Sequence, residues 1–135
     1  MNKDFSYYLS KFLKDYLVIE RNVSKNTIRS YTKTFQLLID YLVNIEDIKL
    51  SNINFNTITR NIIINFLNHL EENGNTIRTR NQRLAAIKSF YQYCLSYETQ
   101  NIYNIKQVLS IKSKKYVKPI QDYLTEEELE TLFNS

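Results

Sequence analysis

Between Asn75 and Tyr93 the chain carries Arg78, Arg80, Arg83 and Lys88 and no aspartate or glutamate. Thr76, Thr79, Gln82 and Ser89 are interspersed with them. Guanidinium and ammonium groups neutralise phosphate oxygens, while hydroxyls and amides hydrogen-bond phosphates or base edges. The mixture therefore suits a nucleic-acid groove. It also suits a merely solvated helix face, and the elements that carry these residues bear on the choice.

Ile77, Leu84, Ile87, Tyr91, Cys94 and Leu95 recur at three- and four-residue steps. That period makes Asn75–Tyr97 a helix with one buried stripe. Arg78, Thr79, Gln82 and Ser89 then point away from the core. Arg83 lies on the flank, and Arg80 falls beside the stripe, where it either packs or reaches out. Gly74, the only glycine, suits a left-handed stop to the preceding helix.

A second stretch, Ser24–Asn44, repeats the design. Ser24 is an N-cap candidate. Ile28, Tyr31, Phe35, Leu38, Ile39 and Leu42 form the apolar stripe, and Arg29, Ser30 and Lys33 fall nearly opposite it. In both helices hydroxyl and amide groups gather at the N-terminus, Ser24, Asn26 and Thr27 in one, Asn75 and Thr76 in the other. Basic residues follow within three turns. Free N–H groups and the helix dipole favour phosphate there.

The remaining elements supply the core. Asp4–Glu20 is amphipathic, with Phe5, Tyr8, Leu9, Phe12, Leu13, Tyr16 and Leu17 facing inward. The polar stretch 45–56 is a connection with a brief extended piece expected around Ile48–Leu50. Thr57 or Thr59 can cap a third helix running to about Asn73, with Ile58, Ile62, Phe66, Leu67 and Leu70 in the core and Ile63 on its flank. Tyr103–Leu109 is a short helix candidate. The stretch 111–118, IKSKKYVK, reads as an exposed, mobile basic linker closed by Pro119, and its Lys112, Lys114 and Lys115 are candidates for phosphate contact. In Tyr123–Phe133, Thr125 and Glu128 form a capping box, the opening of a further helix.

Composition bounds the class. One glycine and one proline in 135 residues argue against a hairpin-rich β fold, and 43% hydrophobic residues suffice for a core. The lone Cys94 excludes an internal disulfide and sits on the apolar stripe as a small core residue. His69 has no cysteine, acid or second histidine at ligand spacing, so neither a metal nor another cofactor is expected. No apolar run reaches membrane-spanning length and nothing suggests export, so a cytoplasmic protein without a membrane partner is expected. Residues 1–120 hold 18 basic and 9 acidic side chains, whereas the last fifteen residues are acidic. A basic body implies an anionic partner.

The order of these pieces resembles the N-terminal core-binding domain of tyrosine recombinases, the phage-integrase and Xer-type enzymes. The features that carry the likeness are the aromatic opening helix, SKNTIRSYTKTFQLLIDYL at Ser24–Leu42, NTIRTRNQRLAAIKSFYQYC at Asn75–Cys94, and the basic linker leading into YLTEEELETLF. The resemblance implies an all-α fold, a SAM-like orthogonal bundle of four to five helices. It implies a core-binding domain over 1–110, a linker over 111–122 and the start of a truncated catalytic domain over 123–135. It further implies that the second and fourth helices face the major groove of double-stranded DNA at a recombination site, through Thr27, Arg29, Ser30 and Lys33 and through Thr76, Arg78, Thr79, Arg80 and Arg83. Other recombinase protomers on that DNA are implied partners. The family's catalytic arginines, lysine, histidines and tyrosine belong to the later domain, so this chain is expected to bind DNA and not to cut it.

Two other readings compete. A helix-turn-helix regulator also needs a basic recognition helix, but the connection after the second helix is longer than a turn of a few residues. A protein-interaction module would use Leu37, Tyr41 and Tyr7 as an exposed apolar patch.

Overall fold

The computed structural model describes residues 4–115. They form five helices: α1 (Phe5–Lys11) with a π-helical continuation (Phe12–Glu20), α2 (Lys25–Asn44), α3 (Arg60–Glu72), α4 (Ile77–Leu95) and α5 (Ile102–Leu109). The described residues contain no strand, in keeping with an all-α bundle. The piece expected to be extended around Ile48–Leu50 has extended backbone at Lys49, and Leu50 opens a single 3₁₀ turn, Leu50–Asn52. The capping box at Thr125 lies outside the described residues.

Local signals set most helix ends. The Asp4 carboxylate accepts from the Tyr7 amide at 2.9 Å, Ser24 Oγ from Thr27 N at 3.1 Å, and Thr59 Oγ1 from Ile62 N at 3.3 Å. Each satisfies one of the amides that the first helical turn leaves unpaired. Thr59, rather than Thr57, therefore caps α3. Thr57 instead ties the preceding loop, donating to Asn52 O at 2.7 Å. At the far end of α3, Gly74 takes φ +97°. The Gly74 amide donates to Glu71 O and the Asn75 amide to Leu70 O, both at 3.0 Å. This is a Schellman closure. A Cβ on Gly74 would meet nothing within 4 Å, so backbone conformation and not space calls for glycine.

α4 is the hub, packing against α2, α3 and α5. Around it stands an aromatic core. The Phe90 ring lies 5.2 Å from Phe5, 5.4 Å from Phe12 and 5.2 Å from Phe35, all edge-on. Edge-to-face contact sets the positive rim of one ring on the negative face of another. Phe90 is fully buried, although the stripe read from the sequence omits it. Ile63 is likewise fully buried where a flank position was expected, and Ile62 is only partly so. The true inner face of α3 is thus rotated toward Ile63.

The first helix departs from α geometry for a reason visible in its burial. Phe5, Tyr8 and Phe12 are buried at steps of three and four, but the next buried residue is Leu17, a step of five. A π turn closes i to i+5 and supplies that step. The Arg21 amide donates to Tyr16 O at 2.9 Å in the same register. Val18 and Ile19 are left exposed beyond it.

The proposed apolar patch is also revised. Tyr41 is buried, its ring 5.5 Å from Phe66 and its hydroxyl donating to Glu46 at 3.1 Å. Burial, reinforced by Glu46, pushes its phenol up to about 12. Leu37 and Tyr7 pack partly against the core. A patch built on Tyr41 does not exist.

Candidate nucleic-acid interface

α2 and α4 open with the same side-chain device. Ser24 caps α2 and its hydroxyl lies 2.9 Å from Thr27 Oγ1. Thr76 caps α4, accepting from Thr79 N at 3.1 Å while its hydroxyl donates to Thr79 Oγ1 at 3.1 Å. Both helices also carry the tetrapeptide Asn-Thr-Ile-Arg, at Asn26–Arg29 and Asn75–Arg78. Its phase differs. In α2 it starts inside the first turn, whereas in α4 its threonine is the cap. Asn75 consequently stands before α4 and donates through Nδ2 to Leu70 O at 2.9 Å, closing α3. Asn26 is exposed.

The basic side chains divide the same way. An open groove of about 760 Å³ is lined by Lys25, Arg29, Lys33 and Arg83 together with Ser30 and Gln36, with no acid in its wall. A shallower hollow beside it joins Asn26, Thr27 and Ser30 of α2 to Gln82 of α4. Lys25, Arg29, Lys33 and Arg78 are exposed and make no hydrogen bond or ion pair among the described residues. The three on α2, in a groove with no acid in its wall, raise the potential along that face.

Arg80 is not on that face. It is 7% exposed, and its Nε lies 2.8 Å from Glu71 Oε1. Its position beside the apolar stripe leads inward, to α3. This corrects its placement among the DNA-contacting candidates. Arg83 is shared between roles. Nη1 donates to Ser30 O at 3.2 Å and to Thr34 Oγ1 at 3.1 Å, bridging α4 to α2 while the side chain also borders the groove. Thr34 itself is fully buried and donates to Ser30 O at 3.0 Å.

The basic stretch after α5 is corrected over its described part. Ile111 is 3% exposed and belongs to the core. Lys114 is held at both backbone atoms by Asn81, and its Nζ lies 3.1 Å from Glu71 Oε2. Lys112 and Lys115 are exposed and without such partners among the described residues. Lys88 donates to Ile111 O at 2.7 Å, so its charge serves this contact. Lys25, Gln36 and Asn81 were not singled out from the sequence. Lys25 follows the cap directly and could have been found from that position, whereas Asn81 has a partner 33 residues away and no local signal.

No group of three or more histidine, cysteine or acidic side chains among the described residues could hold a metal. Cys94 is fully buried and desolvation pushes its thiol up, which keeps it protonated. No described helix is long and apolar enough to cross a membrane.

Comparison with known proteins assigns the fold. Residues 9–97 match the family described as phage integrase, N-terminal SAM-like domain. The chain belongs to that family, as the N-terminal domain of a tyrosine recombinase. It is 34% identical over 125 residues to "Putative integrase/recombinase y4rC" and 30% identical over 128 residues to "Putative integrase/recombinase y4rD", both of Sinorhizobium fredii. These alignments cover 92% and 94% of this chain but 38% and 46% of the relatives, so the chain spans less than half the length of either. No solved structure matches it significantly.

Proposed function

We propose that this chain is the DNA-gripping, non-catalytic part of a site-specific recombinase, holding duplex DNA against α2 and the N-terminal turns of α4. The observation that carries the reading is the acid-free groove with unpaired Lys25, Arg29 and Lys33, and α4 adds the exposed, unpaired Arg78. Each phosphate neutralised would release counterions, and the groove's cations would set the protein's register on the duplex. Arg29 and Arg78 are the candidates for a bidentate guanine contact, worth roughly 1–3 kcal/mol of discrimination. Thr27 and Thr79 have hydroxyls already tied to their caps. Thr79 Oγ1 accepts in its bond and keeps its own proton for a phosphate, and the methyl groups of both threonines can meet a thymine methyl.

The relatives' integrase/recombinase descriptions support the wider assignment. Strand cleavage belongs, on this reading, to sequence those relatives hold outside the aligned stretch, with 111–122 joining the bundle to a catalytic domain that begins near 123. Further protomers would meet this one on the DNA.

Binding of the 135-residue chain to duplex DNA across a salt series tests the proposal, with heparin as a polyanion control. The expected log–log slope is several units, at roughly 0.9 per phosphate contact. Failure to bind duplex at low salt would remove the reading. Equal affinity for recombination-site and random duplex would reduce the role to charge alone.

A further inference from the structure

Resting on the DNA-binding reading above, we propose that Asn81 is a positioning residue. It clasps the chain leaving α5 onto α4, so that Lys112 and Lys115 are held at fixed places along α4, Lys115 at the end that bears Arg78.

The geometry is specific. Asn81 Nδ2 donates to Lys114 O at 2.8 Å, and the Lys114 amide donates to Asn81 Oδ1 at 2.9 Å. A carboxamide is one of the few side chains that can meet a backbone N–H and C=O of the same residue together, as a neighbouring strand would. Seven residues along α4, Lys88 Nζ donates to Ile111 O at 2.7 Å. The two anchor points on α4 are about 10 Å apart at 1.5 Å per residue. The three residues from Ile111 to Lys114 also span about 10 Å when extended at about 3.3 Å each. Helix and extended segment therefore match in length between their anchors, and the segment runs antiparallel to α4.

That direction has a consequence for charge. From Lys88 to Asn81 the segment advances toward the N-terminus of α4. Arg78 is one turn further on, three residues before Asn81 and on nearly the same helix stripe. The segment thus carries Lys115 to the end of α4 that bears Arg78, while Lys112 lies nearer the Lys88 anchor. Glu71 secures the arrangement, meeting Lys114 Nζ at 3.1 Å and the buried Arg80 at 2.8 Å. It leaves Lys112 and Lys115 unpaired among the described residues.

Two measurements on the whole chain test this. The first is amide exchange at Lys114. Its N–H is expected to be protected, and Asn81→Ala to speed its exchange by about tenfold, the scale of a lost hydrogen bond. The amides of Leu84 and Ile87 should keep their protection and report that the bundle is intact. A Lys114 amide that exchanges freely in the unaltered chain overturns the clasp. The second is random-duplex binding across salt, with Lys112→Ala/Lys115→Ala made in both the unaltered and the Asn81→Ala backgrounds. In the unaltered background the slope should fall by up to roughly 2 units, one contact per lysine. It should fall by clearly less once Asn81 is gone. Equal falls in the two backgrounds, or none in either, overturn the positioning role while leaving DNA binding standing. Absence of duplex binding by the unaltered chain, with Lys114 still protected, overturns the DNA reading and the charge-presenting role with it, separately from the clasp.

Discussion

α2 and α4 share a cap, a tetrapeptide and a run of basic residues, yet their cations have different surroundings. On α2, Lys25, Arg29 and Lys33 face an open groove and pair with nothing among the described residues. On α4, Arg80 goes to Glu71, Arg83 to the α2 backbone and Lys88 to Ile111 O, leaving Arg78 alone unpaired. The cause is placement. α2 packs on α4 and on the π-helical end of α1, so much of its circumference is open, while α4 is surrounded by α2, α3 and α5. A long basic side chain on a central helix reaches a neighbouring element before it reaches solvent. The comparison teaches that identical residue types on neighbouring helices can divide into unpaired, solvent-facing and architectural sets.

Substitutions can break or sharpen that division. Arg80→Ala should have the largest effect on folding. Removing one partner of a buried pair typically costs about 3–5 kcal/mol, and about 3 is expected here because Glu71 is partly exposed and keeps Lys114. Denaturant unfolding at neutral pH measures it, and a loss under about 1 kcal/mol would place Arg80 with the solvent-facing set. Arg83→Ala should cost about 1.5 kcal/mol, as expected for charged hydrogen bonds at a partly exposed site. The DNA salt slope of this variant separates its two roles. A slope lowered by about 0.9 would add a direct phosphate contact, and an unchanged slope would leave only the bridge.

Thr76→Ala and Ser24→Ala remove equivalent caps and should each cost about 1 kcal/mol by thermal unfolding. Because α4 is the hub, a markedly smaller loss at Thr76 than at Ser24 would contradict the ordering of the two helices. Smallest on stability are Arg29→Ala and Lys33→Ala, expected within about 0.5 kcal/mol of the parent. Each should nonetheless lower the DNA salt slope by about 0.9. Normal slopes for both variants would move the groove out of the interface.

Much of the fold was legible because its signals are local. The cap at Ser24, the narrowing of the α3 cap to Thr57 or Thr59, the stop at Gly74 and the stripes of α2 and α4 all depend on residues within a turn or two of one another. The misreadings share a different origin. The π step between Phe12 and Leu17, the inward turn of Ile63 and the burial of Tyr41 depend on where a neighbouring helix lies. Periodicity of one segment cannot contain that information. Among the candidate residues, the α2 cations stay exposed where the sequence turned them outward, whereas most of those on α4 are taken up by neighbouring elements. Arg83 finds its partners 53 and 49 residues away, and Lys88 finds Ile111 O 23 residues on.

By itself the sequence determined that the chain is helical, that it has a basic body, and that two capped helices carry cations opposite an apolar stripe. These follow from side-chain chemistry and the 3.6-residue period. Only the tertiary structure decided which cations remain unpaired, that Glu71 gathers Arg80 and Lys114, and that the segment after α5 lies along α4 through Asn81. A charge is spent or left available according to which groups lie within a few ångströms of it, and for these residues those groups come from distant parts of the chain.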